Sequence, residues 1–362
     1  MPSTARAAVL TAPKQLDIQT FALPSIGANE ALVRIEACGI CGTDYEQYDG
    51  EYHPYFPTIP GHEPLGVIAA IGPQAQQRWG VNVGDRVAVR SRYGCGSCAA
   101  CEAGTYRQCN DGGGYGFTGS DRQPGLWGGY ADYLYIASHS TLRKMRDDIP
   151  AEVAVMYNPL GAGFAWGVNT PQLQADDRIA ILGCGQRGLC AVIAAREAGA
   201  GQILITGLAK DEYKLGLAKE LGADVIINVE ADDPVSAVLD ETQGGAQVVL
   251  DTTPYAPQSI THAVGMAARH GRVVLAGLKG RRAVPELFSD DVIHKELTLK
   301  GVLGVDLDSF EQAVQLIESE KYPLEKLHTH SFDVTEAERA IQTLAGAFPD
   351  EQPVHIAIVP KP

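Results

Sequence analysis

The chain has 362 residues, 45% apolar and 20% charged, with a net charge of −15. That length accommodates two domains at about 150 residues each, and the composition is that of an ordinary globular protein. The acidic balance argues against duplex nucleic acid and anionic membrane surfaces as partners, and the basic clusters at 142–146 and 279–282 are too short to reverse it. The N-terminal segment has no apolar core suited to a secretory signal, and no run approaches the ~20 apolar residues of a membrane span. A cytoplasmic location is therefore expected. Thiols stay reduced there, so clustered cysteines point to metal rather than to disulfides.

Residues 1–155 read as β-rich. RAAVL, ALVRIEA, GVIAAIG, DRVAVR and ADYLYIA are short β-branched runs separated by Gly, Pro and Asn. Cys41, in CGICGTD, and His62, in PGHEPLG, offer a thiolate and an imidazole. A catalytic zinc needs three protein ligands and an open position, so this pair taken alone fits a buried cysteine and a satisfied histidine better. A stronger signal follows at 92–112. Cys95, Cys98, Cys101 and Cys109 have the spacing C-x2-C-x2-C-x7-C. Four thiolates close a tetrahedral zinc shell and leave no open position, so this lobe is expected to hold a structural zinc.

Residues 156–300 change rhythm. Strand-like runs at 178–183, 202–207, 224–229, 246–251, 271–277 and 297–301 alternate with helical patterns. Their near-continuous apolar character fits a parallel sheet covered on both faces. GCGQRG follows the first of these strands and opens a helix, the context that gives a G-x-G-x-x-G motif its meaning. Gly183 allows the tight turn, Gly185 lets a pyrophosphate approach the backbone, and Gly188 lets helix and sheet pack closely. Gln186 and Arg187 fall in the first turn of the helix, whose free N–H groups favour an anion. At the end of the second strand, where an NAD enzyme carries an acid, the chain has Thr206 and Gly207, with Lys210 close by. Absence of the acid tilts the expectation slightly towards NADP, while Asp211 keeps NAD open.

Residues 301–362 hold a helix with Phe310, Ala313, Val314 and Ile317 on one face, a TEAE capping box at 335–338, and a final strand-like VHIAIVP. So short a tail is expected to fold back onto the first domain.

Together, CGICGTD, GHEPLG, VGDRV, the four-cysteine lobe, GGYADY, GCGQRG and KELTLKG stand in the order of one family. The chain resembles zinc-dependent medium-chain dehydrogenases/reductases, the alcohol, sorbitol and threonine dehydrogenase superfamily, over essentially its whole length. The resemblance implies an α/β protein: a GroES-like β-rich catalytic domain, completed by the C-terminal tail, plus a Rossmann doubly wound parallel sheet. It implies hydride transfer between a small alcohol or ketone and NAD(P), one catalytic and one structural zinc, and a homodimer or homotetramer. Strands such as GRVVLAG would lie near the sheet edge that pairs between subunits.

By the same resemblance Cys41 and His62 are the first two catalytic zinc ligands. Thr43 begins the proton relay, and Asp44 orients the imidazole. Helix capping is the alternative role for Thr43 and Asp44. Glu46 stands where many relatives have a histidine. Asn158 stands where sorbitol-dehydrogenase-like relatives carry an acidic ligand. An amide oxygen brings no charge, so Glu63 is expected to complete the shell, with Asn158 nearby. A secondary or cyclic alcohol is the expected substrate. A polyol or amino-alcohol dehydrogenase, or a retired nucleotide-binding member, are the alternatives. Tyr45, Tyr52, Tyr115, Phe117, Trp127 and Tyr157 flank the metal motifs and are candidate pocket walls.

Overall fold

The computed structural model describes residues 2–52 and 55–361. It divides into two units, residues 1–158 with 314–362, and residues 159–313.

The first unit begins with an antiparallel pair, β1 (Thr4–Ala12) and β2 (Gln15–Ala22). Strand β3 (Ala31–Gly39) is followed by helix α1 (Gly42–Asp49). Next come β4 (Glu63–Ile71), β5 (Arg86–Val89), β6 (Tyr133–Ile136) and β7 (Leu142–Lys144). Val33 and Ile35 of β3, Leu65 and Ile68 of β4, and Val87 of β5 are at most 2% exposed, so this sheet carries the core of the unit. β3 and β4 are antiparallel with Gly39 opposite Glu63. That register brings Cys41, just past the end of β3, to His62, just before the start of β4, across 21 residues of chain.

Helix α2 (Tyr157–Gly163) leads into the second unit. Six parallel strands follow: β8 (Arg178–Leu182), β9 (Gln202–Gly207), β10 (Val225–Asn228), β11 (Ala246–Asp251), β12 (Ala267–Leu275) and β13 (Thr298–Gly301). Their spatial order is β10-β9-β8-β11-β12-β13. Counted within the unit this is 3-2-1-4-5-6, the doubly wound dinucleotide order, with the GCGQRG turn after the central strand β8 at the switch point. Helix α3 (Gln186–Glu197) opens there. It is buried all round from Gly188 to Ala195, rather than along one face. Its sequence of Leu, Cys, Val, Ile and Ala offers no polar side. β12, containing the GRVVL run, is not the edge of the sheet. β13 lies outside it, and all four of its residues are exposed.

Helix α4 (Leu307–Glu318) buries Phe310, Ala313, Val314 and Ile317, as its periodicity requires. Strand β14 (His328–Phe332), helix α5 (Ala337–Leu344) and strand β15 (His355–Ile358) complete the chain. β15 pairs with β3, placing Ala357 opposite Gly39 and extending the first unit's sheet to β14-β15-β3-β4-β5-β7. The capping box before α5 is not TEAE. Asp333 accepts from the Thr335 amide and Glu336 reaches back to the Asp333 amide, while the Thr335 hydroxyl also donates to Asp333. The charged Asp333 Oδ2 accepts both bonds, a stronger acceptor than a neutral threonine hydroxyl. Among the described residues no helix is long and apolar enough to cross a membrane.

Candidate active site and metal centres

The end of β3 runs directly into the first cluster of side chains able to hold a metal ion. One ligand atom each from Cys41, His62 and Glu63 lies within 4.8 Å of the others, and all three residues are buried. Glu63 is 0% exposed and its carboxylate lies against Gly39, where a Cβ would stand 2.4 Å from Oε2. The glycine leaves room for that carboxylate.

Asp44 ties the cluster together. It is 0% exposed. Its Oδ2 accepts the Cys41 N–H at 2.8 Å, its Oδ1 accepts the Gly61 N–H at 3.3 Å, and Oδ1 stands 3.4 Å from His62 Nδ1. His62 Nε2 faces the other way, 3.9 Å from Glu63 Oε1. This 3.4 Å contact falls outside hydrogen-bond geometry, but the nearby charge favours a proton on Nδ1, the tautomer whose Nε2 is free for a metal. Burial opposes a charged His62, but Asp44 and Cys41 outweigh it and hold the imidazole well above its usual value. A proton therefore competes with metal for this ring. Asp44 also caps α1, with Cys41 as N-cap, so capping and orientation fall on the same carboxylate. Thr43 donates its amide to Cys41 Sγ at 3.4 Å and is half-buried.

Glu46 lies one turn further along α1 and is 8% exposed. Burial, then the charges of Glu51 and Asp44, raise its carboxyl from 4.5 to about 7. The folded state holds this proton more tightly than the unfolded chain, so stability falls as pH rises from about 4.5 to about 7. Glu46→Gln is expected to match the wild type in thermal stability near pH 4.5 and to exceed it at pH 8, by up to about 3 kcal/mol. Equal melting temperatures at both pH values would show that the carboxyl is not held neutral.

Asn158 is 7% exposed, in the first turn of α2. The adjacent Tyr157 hydroxyl shares its single proton between the carbonyls of Pro64 and Val89, at 2.8 and 2.9 Å. That pins the start of α2 beside the strand that Glu63 opens. Of the aromatic residues flanking the motifs, Phe117 packs on the His62 ring at 5.2 Å, with Tyr52 edge-on to Phe117 at 6.1 Å. Tyr115 and Trp127 belong to the apolar core instead, Tyr115 at 0% and Trp127 at 3% exposure, both packed on Tyr93. Sequence neighbourhood does not distinguish a pocket wall from a core ring; burial does.

The second cluster is the cysteine lobe. The ligand atoms of Cys95, Cys98, Cys101 and Cys109 lie within 4.8 Å of one another. Cys98 and Cys101 sulfurs are 3.6 Å apart, and Cys95 and Cys101 sulfurs 3.9 Å. A regular tetrahedron with Zn–S near 2.3 Å has edges of about 3.8 Å, so the sulfurs already have the spacing of a zinc shell. Backbone N–H groups point at them. Cys95 N donates to Cys109 Sγ at 3.3 Å and Gly96 N to Cys101 Sγ at 3.4 Å. The Ser97 amide and hydroxyl draw the Cys95 thiol down, while at Cys98 the Cys101 amide is outweighed by the Cys101 thiol and burial, which push the thiol up, so the four sulfurs share their protons unevenly.

The nucleotide turn lies in the second unit. Gly183 has φ +96°, and a Cβ on Gly188 would stand 1.9 Å from the Gly183 carbonyl oxygen. A Cβ on Gly185 would meet nothing within 4 Å, and Gly185 caps α3 without a side-chain hydrogen bond. The first-turn amides therefore face an open approach, which fits a pyrophosphate. Gln186 is buried in that first turn, and the Arg187 guanidinium lies over the Trp166 ring at 5.4 Å.

Residues 27–147 match the family described as alcohol dehydrogenase GroES-like domain, and residues 188–319 match zinc-binding dehydrogenase. A protein named probable alcohol dehydrogenase from Mycobacterium tuberculosis is 46% identical over 360 residues, covering 98% of each chain. The chain belongs to the zinc-dependent medium-chain dehydrogenases. An erythritol/L-threitol dehydrogenase from Mycolicibacterium smegmatis is 30% identical over 99% of each chain. Among solved structures, an alcohol dehydrogenase from Thermus sp. ATN1 superposes with a TM-score of 0.85 at 27% identity, covering 98% of this chain and 100% of that one. An alcohol dehydrogenase from Thermotoga maritima superposes with a TM-score of 0.87 at 25% identity, covering 99% and 100%. This family member is an alcohol oxidoreductase that uses zinc and NAD(P), with a GroES-like domain and a Rossmann sheet.

Proposed function

We propose that this enzyme interconverts a secondary or cyclic alcohol and its ketone, with Cys41, His62 and Glu63 as the ligands of a catalytic zinc. The observation that carries this reading is the convergence of those three buried ligand atoms within 4.8 Å. When bound, zinc supplies a Lewis acid for the substrate oxygen, and NAD(P) supplies the two-electron acceptor. The protein's own groups do the rest. Cys41 and Glu63 bring two negative charges to a dication. Asp44 fixes the imidazole so that Nε2 points to the metal position. Thr43 relays the hydroxyl proton of the alcohol, accepting it on its hydroxyl oxygen while passing its own proton on. Glu46, three residues on along the same helix and raised to about 7, is the terminal acceptor that returns the proton to solvent. The four lobe cysteines hold the second, structural zinc. Gly183, Gly185, Gln186, Arg187 and Gly188 form the pyrophosphate turn, and Gly207 and Lys210 flank the adenosine ribose.

Metal content, together with a screen of secondary alcohols and ketones against both cofactors, tests the reading. Two zincs per chain and turnover of such a substrate are expected; turnover confined to polyols or amino alcohols would favour the second reading. That alternative draws support from relatives near 30% identity named erythritol/L-threitol and L-threonine 3-dehydrogenases.

The reading extends to a cytoplasmic enzyme that assembles as a homodimer or homotetramer. The exposed edge strand β13 favours pairing with a second copy. Phe288, Ile293 and Leu303 on the flanking segments are 63%, 65% and 56% exposed. Sedimentation should give a dimer or larger, and the double variant Ile293→Lys/Leu303→Lys should shift it towards monomer. A wild type that sediments only as monomer would reject the assembly.

A further inference from the structure

In the dinucleotide fold, the carboxylate that recognises the adenosine ribose ends the second strand. Here that position is Gly207, and the structure shows why no side chain stands there. A Cβ on Gly207 would lie 2.6 Å from Cys184 Sγ and 3.1 Å from Leu215 Cδ2. Cys184 is the middle residue of the Gly183–Gly185 turn and is 3% exposed. The cysteine and the glycine are therefore a matched pair. An acid on this strand would have to displace the thiol.

A carboxylate arrives from the neighbouring strand instead. β9 and β10 pair with Gly207 opposite Asn228. The chain turns immediately afterwards. Asn228 Oδ1 accepts the Glu230 N–H at 3.0 Å, and the Asn228 carbonyl accepts from the amides of Ala231 and Asp232, each at 3.0 Å. The Val229 N–H donates to the Gly207 carbonyl at 3.0 Å. With the turn fixed in this way, Glu230 Oε2 accepts the Ala209 N–H at 2.7 Å. The preceding amide, Leu208 N–H, donates to Asp211 Oδ2 at 3.2 Å, and Asp211 Oδ1 accepts from Lys214 Nζ at 3.2 Å. Both amides after Gly207 are thus already occupied by the protein's own carboxylates.

We propose that Glu230 is the residue that selects NAD over NADP, replacing from β10 the acid that Cys184 excludes from β9. The inference rests on the reading of this sheet as the NAD(P) site. Glu230 Oε2 is spent on Ala209, leaving Oε1 to accept a ribose hydroxyl. A 2′-phosphate brings about two negative charges to the same place. It would meet the Glu230 carboxylate and an amide already bonded. Lys210 is exposed and makes no ion pair among the described residues. Glu230 is exposed too, so both charges are screened, but its carboxylate is anchored on the Ala209 N–H, whereas Lys210 has no hydrogen bond holding it in place among the described residues. The preference for NADP suggested by the missing acid is thereby reversed.

Fluorescence titration of the purified enzyme with NADH and NADPH, with 5′-AMP and 2′-AMP as competitors, tests this without turnover. The wild type should bind NADH at least about tenfold more tightly than NADPH. Glu230→Gln keeps an oxygen for Ala209 and loses the charge, and should tighten NADPH binding by about tenfold with little change for NADH. In that background Cys184→Ala/Gly207→Asp should restore the preference for NADH, because the acid then returns to β9. A wild type that binds NADPH as tightly as NADH, or an unchanged ratio in Glu230→Gln, overturns the assignment. Binding of neither nucleotide would instead overturn the dehydrogenase reading beneath it.

Discussion

Glu63→Gln is expected to reduce the zinc content from two per chain to one and to cut kcat/KM by at least about 100-fold. Losing a group that merely orients a metal ligand typically costs 10–100-fold in affinity or activity, and a ligand should cost no less. The argument is one of charge. Cys41 and His62 give a thiolate and a neutral imidazole, which leaves a zinc ion with one positive charge uncompensated in a fully buried pocket. Uncompensated charge there is costly. Glu63, at 0% exposure and with a carboxylate oxygen 3.9 Å from His62 Nε2, is the acid built into the cluster. Glutamine has nearly the same shape, so the variant should fold and keep the lobe zinc. Asn158→Glu should act in the opposite direction and tighten zinc binding, because it adds a second carboxylate at the start of α2. Two zincs retained by Glu63→Gln at wild-type affinity would remove Glu63 from the shell.

Much of this was legible in the sequence where chemistry repeats at short range. The cysteine lobe and the GCGQRG turn carry their ligand groups within a few residues, so spacing alone describes them. The parallel strands were legible because burial on both faces leaves near-continuous apolar runs, and Ile179 through Leu182 are indeed at most 3% exposed. What stayed hidden depends on register. Nothing local to Cys41 says that His62 is its neighbour; the pairing of Gly39 with Glu63 does. The exclusion of an acid from position 207 by Cys184, and the reach of Glu230 to Ala209, are contacts between strands that are adjacent in space. The missing acid was visible in sequence, but the carboxylate proposed to stand in for it comes into view only with the sheet. Tyr115 and Trp127 show the reverse error, since rings close to metal motifs in sequence turned out to fill the core.

The lobe should fail differently from the active site. No residue from Cys95 to Asp111 is buried, and the regular structure of that stretch is a four-residue helix and a three-residue 3-10 turn. A segment with so little apolar burial has almost no hydrophobic term to set against the entropy of ordering it. The sulfur spacings of 3.6 and 3.9 Å point to what would replace that term, four donors spaced as the corners of a zinc tetrahedron. Binding free energy at such a closed site is folding free energy for the segment. Cys98→Ala is therefore expected to lose the lobe zinc and to destabilise the first unit by at least about 2 kcal/mol, read as a lower melting temperature. The fraction that stays folded should keep its catalytic zinc, with kcat/KM within a few-fold of wild type, because no lobe cysteine belongs to the Cys41–His62–Glu63 cluster. Chelation that empties both sites should lower the melting temperature of the wild type further than that of Cys98→Ala, the difference being the contribution of the lobe zinc. A Cys98→Ala protein with two zincs per chain and an unchanged melting temperature would mean that the four thiols do not act as one structural site.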